Sequence, residues 1–302
     1  MKLAIFTDET GWHTRQLQAA LRARGAEGRC VDLADCRIDT GASWHGLVIP
    51  GFGRELPDAA IVRGIAGGSF EQVTQRLGVL HALRELGVAV YNDARAIERS
   101  VDKGMTSLLL HAAGVPTPPT WAMESAAQAQ RLVTQEGAAG RSLVLKPLFG
   151  SQGKGLQRVG LVDGVHVPLP DLAAYGHLAY LQRYLQSPGF DWRVLVIGGR
   201  AVAAMRRVSR HWIHNVKQGA RVEPAPLDAA LASLAERAAG ALAMDYAGID
   251  LLPTPVGPQV LEVNGVAAWQ GLQRVTPLRI AERLVADLLD RRLAQAAGRR
   301  RA

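Results

Sequence analysis

The sequence predicts an α/β (α+β) fold in which an open α/β domain is followed by two further sheet-containing units. Strand and helix patterns alternate through residues 1–97, which is typical of a mostly parallel sheet. A proline-rich stretch at residues 115–120 then interrupts the chain and must run extended. Beyond it, short apolar strands separated by turn residues recur through residues 142–208 and 248–264.

Length and composition are those of a soluble globular protein. The 302 residues suffice for two or three compact units with cores of their own. No apolar run reaches the ~20 residues that a membrane helix needs. The N-terminus reads directly into a strand without a signal-peptide pattern, so we expect a cytoplasmic protein with no membrane partner. Its only cysteines, Cys30 and Cys36, have neither disulfide-framework nor zinc-site spacing.

The net charge of +8 indicates anionic partners. Part of this excess lies in the tail Arg299-Arg300-Arg301. The remainder would suit nucleic acid or small anions such as nucleotides and polycarboxylates. Aromatic residues make up only 5% of the chain and do not interleave with a basic stripe, so we expect small anions and no nucleic acid.

The elements follow from local patterns in chain order. In the first unit, strands are expected at residues 2–6, 29–33, 47–50, 60–63 and 88–91, with helices at 14–24 and 70–86. Further helices are expected at 100–111 and 126–136, followed by a strand at 142–146. Strands at 177–185, 191–197 and 200–208 precede a helix at 227–244, a hairpin at 248–264 and a closing helix at 277–296.

The hairpin at residues 248–264 carries the most specific chemistry. A tight hairpin would place Asp250 opposite Glu262, and Asn264 would point to the same face as Glu262. Carboxylates in apolar strands are costly unless a cation pairs with them. Mg²⁺ prefers oxygen ligands and often shares them with nucleotide phosphates, so these side chains form a candidate metal site. An acidic sheet edge that faces solvent would give the same pattern.

A second candidate site combines a strand lysine with a glycine-rich loop. Lys146 ends an apolar strand, and residues 150–155 contain three glycines. Backbone amides in such a loop can approach a phosphate closely, and Ser151 and Lys154 would add donors. The loop lacks the Lys-Ser or Lys-Thr pair of a P-loop, and a flexible hairpin tip would share its composition. Lys103, near a helix start, is either another phosphate ligand or a solvated lysine.

Two further polar stretches are candidates for substrate contacts. Arg63 ends a strand and begins a glycine-rich loop that runs to Ser69 at a helix start. Open α/β sheets bind anions at such positions, although an ordinary turn with a surface arginine would look the same. A polar cluster extends from Arg206 to Lys217 and contains two histidines three residues apart. No second pair of metal ligands accompanies them, which argues against zinc.

Taken in order, these motifs resemble the ATP-grasp superfamily and, within it, the RimK-type glutamate ligases. The resemblance covers nearly the whole chain and rests on Asp102-Lys103, Lys146 with its glycine loop, residues 182–185, Asp191-Trp192-Arg193, Arg206-Arg207, Asn215, Asp250 and Glu262-Val263-Asn264. The chain looks most like branches that act on C1-transfer cofactors, such as tetrahydromethanopterin:glutamate ligases and their relatives in methylotrophic bacteria. This finer likeness rests on Arg63-Gly64-Ile65, Gly68-Ser69, Val263-Asn264 and Trp269.

The resemblance implies both a domain division and a set of site residues. The domains would be an N-terminal α/β domain at 1–97, a central ATP-grasp subdomain at 98–183, a C-terminal subdomain at 184–290 and a basic tail at 291–302. ATP, held between two sheets, would contact Lys103, Lys146, Gly150, Ser151, Gln152, Gly153, Gly155, Gln182, Arg183, Tyr184, Leu185 and, at the ribose, Asp191. Mg²⁺, or Mn²⁺ in its place, would be held by Asp250, Glu262 and Asn264. The transferred phosphate would face Arg193, Arg206 or Arg207, and Asn215, and the acceptor or amine would contact Arg63, Ser69, Lys217 and Trp269.

Three positions depart from the pattern of the family. Arg183 stands where the hinge often carries a glutamate, and Ile213 stands where some relatives carry an arginine. The usual Asn-X-Ser-Pro-Gly ending is here Asn264-Gly265-Val266-Ala267-Ala268-Trp269. These changes alter the hinge contact, the phosphate contacts and the wall of the acceptor site.

The family implies an ATP-dependent ligase. An acceptor carboxylate would attack the γ-phosphate to give an acyl phosphate, and the amine of an amino acid, glutamate, would then displace phosphate. Such chemistry needs positioning and charge neutralisation, which agrees with the lack of a nucleophile–base motif in the sequence. The acceptor would be a small carboxylate, for example a tetrahydromethanopterin or methanofuran type of cofactor, and a homodimer or homotetramer is expected. The alternatives are a ligase for another amine, as in lysine biosynthesis or peptide ligation, and a nucleotide-binding module without catalysis.

Overall fold

The computed structural model describes residues 1–41, 44–150 and 153–295. Its first unit contains β1 (Lys2–Phe6), α1 (Trp12–Ala23), β2 (Glu27–Val31), β3 (Arg37–Ile38), β4 (Leu47–Val48), β5 (Ala59–Val62), α2 (Phe70–Glu85) and β6 (Ala89–Tyr91). A parallel sheet forms in the order β2-β1-β5-β6, as predicted. The strand expected at residues 47–50 forms as β4, which pairs antiparallel with β3 outside this sheet.

The single helix predicted at 100–111 is two helices. The first, α3 (Ala94–Val101), ends before Asp102, and the second, α4 (Lys103–Ala112), begins after it. The Asp102 backbone is extended there, and its carboxylate accepts a hydrogen bond from the backbone N–H of Met105 at 2.9 Å. This is the N-cap arrangement that aspartate favours. The break therefore places Lys103 at the first position of a new helix.

The central unit is an antiparallel sheet covered by one helix. It contains β7 (Thr120–Met123), α5 (Ala126–Ala138), β8 (Ser142–Lys146), β9 (Gln157–Val162), β10 (Val165–Val167) and β11 (Ala179–Arg183), with the strands ordered β10-β9-β8-β11-β7. Ala129 and Val133 of α5 pack into a buried core with Leu143, Leu145 and Leu181. The sequence did not predict β7, β9 and β10, because such short strands show too few alternations to be distinguished from loops.

The C-terminal unit carries a second antiparallel sheet. Its elements are β12 (Phe190–Ile197), β13 (Arg200–Val208), β14 (Arg221–Pro224), α6 (Ala229–Ala241), β15 (Tyr246–Leu252), β16 (Gln259–Asn264), α7 (Gln270–Gln273) and α8 (Ile280–Ala286). The strand order is β14-β13-β12-β15-β16, and the predicted pairing of Asp250 with Glu262 is confirmed. The closing helix begins three residues later than predicted and continues into a π-helical segment, Asp287–Arg292. No helix in the described part of the chain has the length and apolar character needed to cross a membrane.

The two faces of the C-terminal sheet have different neighbours. Val194 and Val196 of β12 belong to an apolar core with α6. Leu195 and Ile197 belong to another core, shared with α1, α8 and the N-terminal sheet. Because side chains alternate along a strand, Arg193 extends the face of Leu195 and Ile197. At this end the face opens towards the central unit and becomes charged.

A buried asparagine joins the N-terminal unit to the C-terminal sheet. Oδ1 of Asn92 accepts hydrogen bonds from the backbone N–H groups of Asp245 and Tyr246 at 2.7 and 3.0 Å. Its Nδ2 donates to the carbonyl oxygens of Tyr246 and Gly265 at 2.7 and 2.6 Å. These bonds satisfy a side chain that would be costly to bury unpaired. The Tyr246 hydroxyl in turn donates to the Val62 carbonyl, so the first unit is held against the sheet that carries the site.

Candidate active site

The candidate active site is a cleft between the central and C-terminal sheets. Of the residues predicted to form a site, the cleft is lined by Lys103, Lys146, Gly150, Gly153, Gln182, Arg183, Tyr184, Leu185, Asp191, Arg207, Asn215, Asp250 and Glu262. Apolar side chains complete its walls, among them Val144, Leu156, Ile213, Leu252 and Leu261. A cleft that combines apolar walls with a few converging polar groups is the usual form of a small-molecule site.

Two lysines on the central side of the cleft donate, within the part of the chain that the structure describes, only to neutral hydrogen-bond acceptors. Nζ of Lys146 donates to Oε1 of Gln182 at 2.6 Å. Nζ of Lys103 donates to the carbonyl oxygens of Leu148 and Gly150 at 3.3 and 2.8 Å. Burial lowers the pKa of Lys146 to about 8 and also lowers the pKa of Lys103, although nearby Glu262 opposes both shifts. Partly buried ammonium groups with no carboxylate in hydrogen-bond contact are costly, so the pair is suited to an anionic ligand.

The predicted hinge strand is held by Glu136, an acidic residue that no local motif singled out. The Arg183 guanidinium donates to Glu136 at 2.9 and 3.1 Å. Arg141 donates to the same carboxylate at 2.8 Å through two nitrogens. Hydrogen bonds from Arg141 and then Arg183 lower the pKa of Glu136 to about 2. Glu136 therefore occupies the Arg183 guanidinium. The side chains of Tyr184 and Leu185 are the ones in the hinge that remain available to a ligand.

The glycine-rich loop reaches across the cleft to the C-terminal unit. Its predicted members are Gly150, Ser151, Gln152, Gly153 and Gly155, of which Ser151 and Gln152 lie outside the described residues. Gly153 has a φ of +71°, and a Cβ there would lie 2.8 Å from Cγ2 of Ile213 and 2.9 Å from Oδ1 of Asn215. Only glycine combines this backbone conformation with such a close approach. The Tyr175 hydroxyl donates to the Gly155 carbonyl at 2.9 Å and secures the other end of the loop.

The C-terminal wall carries a closed network of charges. Arg207 donates to both carboxylate oxygens of Asp191 at 2.7 and 2.5 Å, and its Nη2 lies 3.0 Å from Oδ2 of Asp250. Arg193 donates to both oxygens of Asp250 at 2.5 and 2.7 Å. Burial raises the pKa of Asp191 to about 6, whereas at Asp250 the two arginines outweigh burial and lower the pKa. These ion pairs involve three residues predicted to contact the nucleotide. Arg193 and Arg207, the predicted phosphate contacts, are paired with carboxylates, and Asp191, the predicted ribose contact, is paired with an arginine.

Of Arg206 and Arg207, the two alternatives for the phosphate contact, only Arg207 is among the residues that line the cleft. Consecutive residues on a strand point to opposite faces, so Arg207 faces the cleft and Arg206 faces away from it. The Arg206 guanidinium pairs with Glu223 at 3.2 Å and lies 5.4 Å from the ring centroid of Phe190.

The predicted oxygen ligands for Mg²⁺ share one face of β15 and β16. Asp250 and Glu262 are cross-strand partners, and Asn264 follows two residues further on. Glu262 forms no hydrogen bond or ion pair with any described residue. Nδ2 of Asn264 donates to the Gly248 carbonyl at 3.1 Å, which leaves Oδ1 available. Two carboxylates and an amide oxygen fit a hard divalent cation, and no group of three His, Cys, Asp or Glu residues competes with them in the described ranges.

The predicted acceptor contacts do not form one site. Trp269 is 1% exposed and lies under Arg63, whose guanidinium carbon is 4.5 Å from its ring centroid, so Trp269 supports Arg63 instead of forming a wall. The Ser69 hydroxyl accepts a hydrogen bond from the Gln72 N–H and caps α2. Lys217 is exposed on a 3-10 turn and is not among the residues that line the cleft. Of the four, Arg63 is the partly buried residue that keeps an accessible donor for a ligand.

Several residues that shape the site had no signal in the local sequence. Trp212 is one of them: its ring meets that of the predicted hinge residue Tyr184 edge to face, with centroids 6.1 Å apart, and both residues line the cleft. Nε2 of His13 accepts a hydrogen bond from the Trp269 N–H at 3.1 Å, and burial lowers the pKa of His13 to about 4. Glu136 lies 47 residues before the arginine that it holds in the hinge. Such long-range pairs have no counterpart in local periodicity.

Comparison with known proteins supports the same fold along the whole chain. Residues 1–97 match the RimK PreATP-grasp domain, and residues 100–288 match the RimK-like ATP-grasp domain. The tetrahydromethanopterin:alpha-L-glutamate ligase of Methanosarcina acetivorans is 30% identical, with 88% of this chain and 91% of that protein covered. The ligase of the same name from Methanococcus maripaludis is 32% identical, with 96% and 98% covered. The solved structure of the ATP-grasp ligase PsnB with minimal precursor, Mg and ADP has a TM-score of 0.69 at 22% identity over 98% of each chain, which supports the fold alone.

Two antiparallel sheets that enclose a lysine- and carboxylate-lined cleft, behind a parallel N-terminal sheet, define the ATP-grasp class of ligases. Within that class the chain belongs to the RimK-like family, and the prediction made from the order of its motifs is confirmed. It is an ATP-dependent ligase that joins an amino acid to a carboxylate.

Proposed function

We propose that the protein uses ATP to add L-glutamate to a carboxylate of a pterin- or furan-type C1-transfer cofactor. The observation that carries this proposal is the pair of half-buried lysines, Lys103 and Lys146, which among the described residues donate hydrogen bonds only to neutral acceptors and which share the cleft with Asp250 and Glu262. The glutamate and the cofactor class are supported by the two archaeal relatives, which are 30% and 32% identical over most of the chain.

In this proposal the phosphates of ATP lie against Lys103 and Lys146. The phosphate oxygens would supply the counter-charge that these ammonium groups lack. The glycine-rich loop around Gly153 would cover the phosphates from above. Tyr184 and Leu185 would border the adenine, where the apolar wall of the cleft excludes water.

The carboxylates of β15 and β16 would complete the nucleotide site. Asp250, Glu262 and Asn264 would hold Mg²⁺, or Mn²⁺ in its place. When bound, the ion neutralises the charge that develops on the transferred phosphoryl group. Arg193 and Arg207 each hold Asp250 through charge-assisted hydrogen bonds, so they fix the orientation of this carboxylate before any ligand arrives.

The reaction would then proceed in two displacements. An acceptor carboxylate oxygen attacks the γ-phosphorus, and the bond from that phosphorus to ADP breaks, which gives an acyl phosphate. The glutamate nitrogen next attacks the acyl carbon, an amide bond forms, and inorganic phosphate leaves. Asn215, which lies at the glycine-rich loop, would donate its side-chain amide to the transferred phosphate. The chain contributes positioning and charge neutralisation and needs no covalent residue.

The test is an ATP-consumption assay with Mg²⁺ and L-glutamate across a panel of carboxylate acceptors that includes pterin and furan C1 cofactors. Mass spectrometry should show product heavier by one or more glutamyl residues, with matching release of ADP. Product formed without ATP consumption would contradict the proposal. Glu262→Gln provides the control: in a ligase it should abolish turnover while nucleotide binding persists, whereas wild-type protein that binds ATP but turns over no acceptor would indicate another amine or a binding module.

A further inference from the structure

Arg63 is a half-buried arginine with no acidic partner. Its Nη1 donates to the Ala267 carbonyl at 2.8 Å and to the Tyr246 hydroxyl at 3.1 Å, so both acceptors are neutral. Its Nε is enclosed without an acceptor, and so is Nε1 of Trp269 beneath it. Its Nη2 donates to no described residue and is not among the enclosed nitrogens. Two adjacent buried donors and one accessible donor therefore lack acceptors, which is uncommon in folded proteins.

Other arginines with an unpaired Nε show why Arg63 differs. Arg158, Arg206 and Arg292 also enclose an Nε without a hydrogen-bond acceptor. Each of these three nevertheless has a carboxylate within 4.0 Å, respectively Asp163, Glu223 and Asp93. Of the four, Arg63 alone has its charge uncompensated among the described residues.

A second uncompensated arginine lies behind the same loop. Arg76 is 8% exposed, and its Nη1 donates to the carbonyl oxygens of Ala66 and Gly67 at 2.6 and 3.0 Å. It too has only neutral partners. Asp8 contacts the Gly64 backbone but is exposed and forms no ion pair with either arginine. Two guanidinium groups therefore give the loop that follows Arg63 a positive potential, which favours an anion there.

A short chain of contacts connects Arg63 to the charged wall of the cleft. The Ala267 carbonyl accepts from Arg63, and a Cβ at Gly248 would lie 3.0 Å from the Ala267 side chain. The same Cβ would lie 3.0 Å from Cδ of Arg193, which holds Asp250. Glycine at 248 thus allows Ala267 and Arg193 to meet over β15. Arg63 is therefore linked to Arg193 and the Asp250 carboxylate through packing contacts over β15.

We propose that Arg63 binds a second carboxylate of the acceptor, so that the acceptor is at least a dicarboxylate. This inference rests on the proposed function. One carboxylate reacts at the nucleotide, and an oxygen of the other accepts a hydrogen bond from Nη2 of Arg63. Trp269 supports the plane of the guanidinium, while Ala267 and Tyr246 fix its rotation. An acceptor whose only anionic group is the reacting carboxylate would leave Arg63 unpaired.

The experiment compares two probes that differ in one charge, N-acetyl-L-glutamate and N-acetyl-L-glutamine. Isothermal titration calorimetry is run on the full chain with Mg²⁺ and a non-hydrolysable ATP analogue. We expect the wild-type protein to bind the dicarboxylate about 10- to 100-fold more tightly, which is the range for a hydrogen bond to a charged group. In Arg63→Gln this preference should fall to near unity. Arg15→Gln, which removes an exposed arginine of α1, should keep it.

Arg63→Lys protects the experiment against a folding defect, because it retains the charge and loses only the fork of donors. It should keep part of the preference, and its circular dichroism and melting temperature should match those of the wild type. A wild-type protein that binds both probes equally, or neither, would overturn the inference. So would a preference that survives in Arg63→Gln, or a variant that loses affinity for free L-glutamate instead. Glutamate ligation that continues in any of these cases leaves the proposed function standing, whereas dicarboxylate binding without ligation contradicts the proposed function alone.

Discussion

The two walls of the cleft bury cations in opposite ways. On the central wall, Lys146 donates, among the described residues, only to the amide oxygen of Gln182, and burial lowers its pKa to about 8. On the C-terminal wall, Arg207 is shared by the carboxylates of Asp191 and Asp250 at 2.5 and 3.0 Å. The lysine has no carboxylate in hydrogen-bond contact until a ligand binds, whereas the arginine already has its counter-charge within the protein. The comparison teaches that burial alone does not identify a ligand-binding cation: its partner does.

Removing Arg207 should have the largest effect on stability. Arg207→Met leaves Asp191 and Asp250 buried with too little compensating charge, so we expect the free energy of unfolding to fall by about 3–5 kcal/mol. Urea unfolding followed by circular dichroism measures this change. Arg206→Met is the matched control, because Arg206 is adjacent on the strand but faces outward. Its partly exposed pair with Glu223 should contribute at most about 1 kcal/mol. Equal losses in the two variants would refute the contrast between the faces of β13.

Removing Lys146 should have the opposite balance of effects. Lys146→Met should weaken nucleotide binding about 100-fold, because it deletes a charge-assisted contact with phosphate. The ligand-free protein should become no less stable, since an unpaired buried charge has been replaced by an apolar side chain. Titration with a fluorescent ATP analogue tests the loss of affinity, and thermal unfolding tests the stability. Lys2→Met, at an exposed lysine, is the control. A destabilised variant with normal nucleotide affinity would show that Lys146 is structural.

Glu136 offers the case of a buried anion outside the cleft lining that has two cationic partners, Arg141 and Arg183. Its substitution tests whether such paired charges stabilise the fold. Glu136→Gln should lower the free energy of unfolding by about 1.5–3 kcal/mol at neutral pH, the range for hydrogen bonds to charged groups. The folded pKa of about 2 lies below the ordinary 4.5. Its contribution is therefore fully present above about pH 4.5 and disappears as the pH falls towards 2. Unfolding curves across this window should converge for wild type and variant, and parallel curves would exclude the assigned pairing.

The pH dependence of nucleotide binding gives the smallest and sharpest signal. Above a pKa of about 8, the Lys146 ammonium loses its proton, and affinity for ATP should fall by up to about tenfold per pH unit. Folding should respond in the opposite sense. Because the folded pKa lies below 10.5, the unfolded chain binds the proton more strongly, so this residue's contribution to stability rises between pH 8 and 10.5. Lys146→Arg, which stays charged, should remove both effects.

The sequence predicted those features that depend on local pattern. The bounds of β1 and β13 agree with the predicted ranges, and the register of Asp250 against Glu262 followed from alternation and a tight turn. The partners of the site's charges could not be predicted in this way. Arg63 finds its carbonyl acceptor 204 residues away, and no local period encodes such a contact. The family pattern placed Arg206 and Arg207 together, and only the alternation of the observed strand separates them.

That separation gives the Arg206-Arg207 doublet a particular response to a change in chain length. Gain of one residue in the turn at Gly198-Gly199 would slide β13 by one position and exchange its two faces. Arg206 would then take the inward position of Arg207, while Ala204 would take the buried position of Met205. A one-residue insertion would thus keep the inward charge at the cost of an apolar side chain in the core. Two homologues that align perfectly at both arginines can therefore present different ones to the nucleotide.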